Sequence, residues 1–162
     1  MAISIRPYQI GDAPQMADIL NEIIEIGGTT AYLSPLSAEK MKAKIAGGGE
    51  RARWNIAVDE NEQIIGFQWA EPHSLLPPEA ASIATFVRVG VVGGGIGSKL
   101  FAVTCAQMRA LGFIWINASI RSDNASGLSY YTKMGFQDWS IEPDAALSDG
   151  RIVGKTHKRY NL

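Results

Sequence analysis

The stretch that decides the fold reads Val89-Gly90-Val91-Val92-Gly93-Gly94-Gly95-Ile96-Gly97-Ser98-Lys99-Leu100. An apolar, β-branched segment from Ile83 to Val89 precedes the glycines, and a helical pattern follows them. This order predicts a strand, a glycine loop and the first turn of a helix. Glycine lets the main chain approach a ligand closely, and a helix N-terminus adds unpaired N–H groups and positive dipole charge. We therefore predict a site for a phosphorylated ligand at this loop.

Length and composition fit one soluble globular domain over residues 1–162, with 46% apolar and 19% charged residues. The formal net charge of −1 lacks the basic excess of a nucleic-acid-binding protein. The N-terminus has no signal-peptide core, and no run of about eighteen apolar residues predicts a membrane span. The single Cys105 allows no internal disulfide. We expect a cytoplasmic protein with no nucleic-acid or membrane partner, and two histidines beside one cysteine predict no metal site.

Hydrophobic periodicity predicts elements in the order β-α-α-β-β-β-α-β-α-β-β, an α/β (α+β) fold with a mixed sheet of about seven strands. The central β-α-β unit predicts two parallel strands. Asp12 is the expected N-cap of the first helix. The predicted later elements are strands at Ser82–Val89, Phe113–Ile120, Phe136–Ile141 and Arg151–Tyr160, and helices at Ser98–Leu111 and Asn124–Met134.

Two common phosphate-binding loops do not fit the glycine stretch. A Walker loop needs Gly-Lys followed by Ser or Thr, whereas this chain reads Gly97-Ser98-Lys99. A dinucleotide fingerprint starting at Gly93 would need glycine where Ser98 stands. It would also need an acidic residue about twenty positions further on, and the segment Phe113–Ile120 contains none.

Two motifs in register resemble those of the GNAT superfamily of acyl-CoA-dependent N-acetyltransferases. Gly95-Ile96-Gly97 occupies the Q/R-x-x-G-x-G/A slot, and N-x-x-x-x-x-x-Y-x-x-x-G-F follows as Asn124 to Phe136. With Ile5-Arg6-Pro7 at the start, the resemblance covers nearly the whole chain. Asn21 to Ile24 followed by Gly28 to Ala31 resembles the phosphinothricin acetyltransferase branch. The chain departs from the pattern at Val92, where the family usually has Arg or Gln, and at Val89, where it has proline.

The resemblance implies a sheet whose two central parallel strands splay apart, with acetyl-CoA in the gap as co-substrate. It implies main-chain contacts of the pantetheine arm near Val87 and Val89 and an oxyanion donor N–H near Val87. The expected cofactor-binding residues are Val87, Arg88, Val89, Val92, Gly93, Gly94, Gly95, Ile96, Gly97, Ser98, Asn124 and Tyr131, with Lys99 as a further contributor. Because the backbone amides remain, Val92 weakens rather than removes the predicted diphosphate site.

The resemblance makes Tyr131 the general acid aimed at the CoA sulfur, while Asn124 either contacts the cofactor arm or caps the helix. The general base is open among Glu79, His73, Glu71 and a chain of water molecules that leads to solvent, because Ser82 stands where relatives carry Glu. Tyr130 is expected to be a packing residue.

The leading function is acetyl transfer to a primary amine of a small molecule, such as an amino-acid analogue, with the acceptor set by the loops at Gly27–Pro35 and His73–Ala80. The alternatives are a protein or peptide N-terminal or lysine acetyltransferase, and a non-catalytic CoA-binding module. Relatives are often homodimers, and this is expected here.

Overall fold

The computed structural model describes residues 1–162 and contains one seven-stranded sheet with strand order β1-β2-β3-β4-β5-β7-β6. The predicted order of elements and the mixed sheet are confirmed. The elements are β1 (Ser4–Pro7), a short 3₁₀ helix (Ile10–Asp12), α1 (Ala13–Ile26), α2 (Ala38–Gly47), β2 (Arg53–Val58), β3 (Ile64–Glu71), β4 (Ala80–Val87), α3 (Ile96–Ala110), β5 (Trp115–Arg121), α4 (Ala125–Met134), β6 (Gln137–Glu142) and β7 (Lys155–Asn161).

Helices cover the two faces of the sheet unequally. On the face that we call the α1 face, α1 and α2 bury side chains of β2 and β3, including Trp54, Phe67 and Trp69. On the opposite α3 face, α3 and α4 bury side chains of β4 and β5, including Ile83 and Ile116. Because successive strand residues alternate between faces, each central strand is buried on both sides and reads as a continuous apolar run. None of the helices combines the length and apolar character needed to cross a bilayer.

The parallel strands β4 and β5 pair only at their N-terminal ends. The register joins Ala80 to Trp115 and ends at Ile83 with Ala118, whereas every other neighbouring pair in the sheet is antiparallel. Beyond that point the strands have no ladder between them. We call the space between Thr85–Val87 and Ser119–Arg121 the β4–β5 gap; its existence agrees with the predicted splay.

Several boundaries differ from the sequence prediction. β4 runs over Ala80–Val87 rather than Ser82–Val89, and α3 begins at Ile96, two residues early. β7 begins at Lys155 rather than Arg151 because Gly154 has φ +71°, which interrupts an extended strand.

Asp12 does not cap α1 with its side chain. Its carboxylate accepts hydrogen bonds from the Arg6 guanidinium at 2.8 Å and from the Gln9 N–H at 2.7 Å, which ties the entry of α1 to β1. Burial alone would raise the pKa of the Asp12 carboxyl. The hydrogen bonds and the charge of Arg6 outweigh burial and hold that pKa below its ordinary value.

Replacing Asp12 by Asn should therefore lower the free energy of unfolding in a pH-dependent way. A lowered folded-state pKa stabilises the protein above the ordinary carboxyl pKa, and this contribution disappears as the pH falls through the folded value. We expect a loss of about 1–2 kcal/mol at pH 7 in urea unfolding and a smaller loss at pH 3. Asp18→Asn, on an exposed position of the same helix, is the control. Equal losses for Asp12→Asn at both pH values would contradict the ion pair.

Candidate active site

The glycine loop between β4 and α3 uses three consecutive left-handed residues. Gly93, Gly94 and Gly95 have φ angles of +84°, +70° and +64°, a region that L side chains rarely adopt. The turn leads directly into α3, whose first helical bond runs from the Lys99 N–H to the Gly95 carbonyl at 2.9 Å. The sequence therefore needs glycine here for backbone geometry as well as for close approach of a ligand.

The amides of this loop are available to a ligand. None of the main-chain N–H groups from Val92 to Ser98 donates a hydrogen bond to another group of the chain. Open space lies beside the Cα atoms of Gly93 and Gly95, and the side chain of Val92 is 87% exposed. A cluster of unpaired amides at the positive end of a helix fits a diphosphate.

Tyr130 holds the start of α3 in place. Its hydroxyl donates to the Gly97 carbonyl at 2.8 Å and accepts from the Gln68 amide at 3.2 Å. A Cβ at Gly97 would lie 2.5 Å from the Tyr130 ring, so the contact requires glycine. Burial raises the pKa of Tyr130 to about 12. The sequence did not predict this role for Tyr130. Its position next to the motif residue Tyr131 is the sequence feature that could have indicated it.

The main chain of β4 turns alternate residues toward the gap. The Arg88 N–H donates to the Ile65 carbonyl of β3 at 2.8 Å, which fixes the phase of the antiparallel ladder. Thr85 and Val87 therefore direct their N–H and C=O groups toward β5, where no partner strand remains. Arg88, predicted to bind the cofactor, uses its N–H for β3 and donates its guanidinium Nε to the Ile64 carbonyl at 3.0 Å.

Tyr131 lies on the α3 face of the gap. Its hydroxyl is 2.9 Å from the Thr85 Oγ1, and its side chain packs against Tyr130 and Phe136. Burial raises the pKa of Tyr131 well above its ordinary value, so the phenol stays protonated. The Gln68 amide also donates to the Thr85 hydroxyl at 2.8 Å, so one amide fixes the position of both groups.

Asn124 caps α4. Its Oδ1 accepts from the Gly127 N–H at 3.0 Å, and its amide donates to the Thr29 carbonyl at 3.1 Å. Both ends of the side chain are thus used within the chain, and they tie α4 to the α1–α2 loop.

The structure does not bring the predicted bases to the gap. Glu79 precedes β4, about 20 Å along the strand from Thr85 at a rise of about 3.3 Å per residue. His73 is exposed in the same distant loop, where its Nδ1 accepts from the Leu75 N–H at 3.1 Å. Glu71 lies opposite Ser82 on β4, also before the strands separate.

A cleft of about 440 Å³ adjoins Arg121, the β5 residue at the edge of the gap. The loop after α1, which was predicted to set the acceptor, forms one wall, whereas the His73–Ala80 loop does not contribute. Arg121 is buried and donates to Asp123 and to the Thr30 carbonyl. The residues around the cleft are Ile24, Ile26, Gly27, Gly28, Thr30, Tyr32, Leu33, Arg121, Asp149 and Arg151.

Two curated acetyltransferases are similar in sequence to this chain. The phosphinothricin N-acetyltransferase of Streptomyces coelicolor is 26% identical over 98% of this chain and 91% of its own length. The mycothiol acetyltransferase of Actinosynnema mirum is 27% identical over 57% of this chain and 30% of its own length. The chain thus spans about a third of the length of the curated mycothiol acetyltransferases that it matches. No sequence-family profile matches the chain.

The structural likeness covers the whole chain. A GNAT superfamily phosphinothricin acetyltransferase from Sinorhizobium meliloti, solved in complex with AcCoA, superposes with a TM-score of 0.85 at 21% identity. The alignment includes 100% of this chain and 89% of that one. A seven-stranded mixed sheet with a splayed parallel pair and an amide-lined loop is the GNAT fold. The chain has this fold and is similar in sequence to curated phosphinothricin acetyltransferases.

Replacing Gly95 by Val should weaken CoA binding more than tenfold, because a β-branched side chain at φ +64° forces the loop to move. The measurement is titration calorimetry with CoA. Gly49→Val is the matched control, since Gly49 has φ +77° and open space around it but lies in the α2–β2 turn. Both variants should lose stability, and only the first should lose affinity. Equal CoA affinity in the two variants would rule out the loop as the diphosphate site.

Proposed function

We propose that the chain, acting as one domain, transfers the acetyl group of acetyl-CoA to a primary amine of a small molecule by direct attack in a ternary complex. The observation that carries the proposal is the β4–β5 gap, which opens beside an array of unpaired amides from Val92 to Ser98. The similarity to a phosphinothricin N-acetyltransferase, and the complex of one structural neighbour with AcCoA, support it.

The loop amides bind the diphosphate in this proposal. The main-chain groups of Val87 and Val89 pair with the pantetheine arm, which takes the place of the missing partner strand. The thioester then lies near Thr85, between the α1 face and the α3 face of the sheet. An N–H at Val87 is available to the oxygen of the thioester as negative charge develops on it.

Tyr131 stabilises the leaving sulfur by donating a hydrogen bond. A thiol has an ordinary pKa of about 8.5, and burial raises the pKa of Tyr131 far above that of a thiol. Complete proton transfer from the phenol to the thiolate would therefore be uphill. We expect Tyr131 to remain a phenol while the thiolate departs, and the thiolate to take its proton from solvent.

The cleft beside Arg121 supports a small acceptor. Its volume of about 440 Å³ is in the range of small-molecule sites, and two guanidinium groups, Arg121 and Arg151, lie along it. Each guanidinium is already paired with an aspartate, Asp123 and Asp149 respectively. Only the Nε of the Arg151 guanidinium donates within the chain, so its terminal NH₂ groups can bind the carboxylate of an amine such as an amino-acid analogue.

The direct test mixes the purified protein with acetyl-CoA and a panel of small primary amines, peptides and lysine derivatives, and measures release of free thiol. Turnover of small amines alone supports the proposal, and turnover of peptides alone favours a protein acetyltransferase. Tight CoA binding without any turnover would indicate a non-catalytic module, which the substitution at Val92 leaves open.

Replacing Tyr131 by Phe should lower kcat about tenfold or more and leave the Kd for CoA nearly unchanged, because the hydroxyl acts on the leaving sulfur. Tyr130→Phe is the matched variant: it frees the Gly97 carbonyl and should raise the Kd for CoA instead. Steady-state kinetics and calorimetry separate the two effects. Unchanged kcat in the Tyr131→Phe variant would exclude its hydroxyl from the reaction.

A cytoplasmic location and a homodimer remain predictions.

A further inference from the structure

A chain of polar side chains crosses the part of the α1 face that no helix covers. The Trp139 indole N–H donates to the Asn117 Oδ1 at 2.9 Å, and the Asn117 amide donates to the Ser119 Oγ at 2.9 Å. The Ser119 Oγ lies 2.8 Å from His157 Nδ1, and His157 Nε2 lies 3.3 Å from a Glu142 carboxylate oxygen. These residues come from β5, β6 and β7, and none of them was singled out by the sequence.

The two ends of the chain fix the direction of its hydrogen bonds. An indole N–H can only donate, so Asn117 must face Trp139 with its oxygen and Ser119 with its amide. Ser119 therefore accepts from Asn117 and has its own proton free for His157. An ionised Glu142 can only accept, which places the imidazole proton on Nε2. His157 Nδ1 is then a vacant proton acceptor pointed at the Ser119 hydroxyl.

Ser119 borders the gap in which, according to the proposed function, the acceptor amine reaches the thioester. It is the first residue of β5 beyond the last β4–β5 pair, Ile83 with Ala118, and its side chain is exposed. It projects from the α1 face, whereas Tyr131 approaches Thr85 from the α3 face. The two hydroxyl groups thus lie on opposite faces of the sheet at the same point of the gap.

We propose that Ser119 and His157 form the proton path of the acetyl transfer, with Glu142 as the residue that positions and stabilises the imidazolium. The proposal rests on the proposed function. The amine nitrogen forms a bond to the thioester carbon and becomes cationic. One of its protons passes to the Ser119 Oγ as the Ser119 proton moves to His157 Nδ1. The carbon–sulfur bond breaks, the thiolate takes a proton from solvent, and His157 returns its proton to solvent.

Charged groups on β5, β6 and β7 surround His157. Glu142 faces the ring from β6, and Lys155 and Arg159 flank it on the same side of β7. Arg121 lies two residues beyond Ser119 on β5 and is paired with Asp123. Arg159 is engaged with the Trp115 ring and donates to Asn161. Among these groups, Glu142 is the one within ion-pair distance of the ring, 3.3 Å from Nε2.

The kinetic test replaces His157 by Gln, which can keep hydrogen bonds but cannot take a proton. We expect kcat at pH 7 to fall about 100-fold or more, the usual contribution of a general base, with an unchanged Kd for CoA. The deficit should shrink at high pH, where the free amine and hydroxide replace the base. Ser119→Ala should show the same pattern to a smaller extent.

His73→Gln and Ser140→Ala are the matched controls, since His73 is the other histidine and Ser140 is the residue opposite His157 on β6. Both should behave as the wild-type protein. A wild-type protein that turns over no amine would overturn the acetyl-transfer function itself. An active wild-type protein with a His157→Gln variant of equal kcat and equal pH profile would overturn the proton path alone.

The tautomer can be measured without turnover. In the His73→Gln background, His157 is the sole histidine, and its ring nitrogens can be read from ¹⁵N–¹H correlation spectra. For the neutral ring we expect the proton on Nε2, and a shift of the Nδ1 resonance in Ser119→Ala but not in Ser140→Ala. A ring with its proton on Nδ1 would overturn the proposal.

Discussion

The early end of the β4–β5 ladder is the constraint on which the rest of the structure depends. Two parallel strands that pair over only four positions leave the main-chain groups of Thr85 and Val87 without a partner strand. Unpaired backbone groups in a protein interior are costly, so such a gap persists only if solvent or a ligand satisfies them. A ligand with its own amides, such as a pantetheine arm, satisfies them in the manner of an added strand. The gap can therefore accept an extended ligand in the manner of an added strand.

Hydrogen bonds connect the start of α3 with the strands beside the β4–β5 gap. Gln68 on β3 donates to both Thr85 and Tyr130, and Tyr130 fixes the first turn of α3 through the Gly97 carbonyl. The loop that holds the amides is thus connected through three hydrogen bonds to Thr85 on β4, which borders the gap. A movement of the glycine loop would displace Tyr131 as well, because the Tyr131 hydroxyl contacts Thr85, which accepts from the same Gln68 amide.

Features coded in a contiguous segment could be predicted from the sequence, and features that need register between distant segments could not. The glycine loop, the α3 start and the pair of parallel strands all follow from the stretch around Gly93, and the structure has them. The base candidates Glu79 and His73 precede β4 in the sequence. The extended strand places Glu79 about 20 Å from Thr85, and His73 lies in the loop before that strand. No sequence signal marks His157, because its contact with Ser119 spans 38 residues and depends on β7 lying beside β5.

In the proposed reaction, the acid and base functions belong to different residues, because the site is divided between the two faces of one sheet. On the α3 face, burial keeps the Tyr131 phenol neutral. On the α1 face, no helix covers β5, β7 and β6, so Ser119 is open to solvent while His157 beneath it is partly enclosed. In the proposed reaction, a thioester held in the plane of the sheet separates the two environments. The proton that leaves the nitrogen and the electrons that reach the sulfur are then handled by different groups on opposite faces.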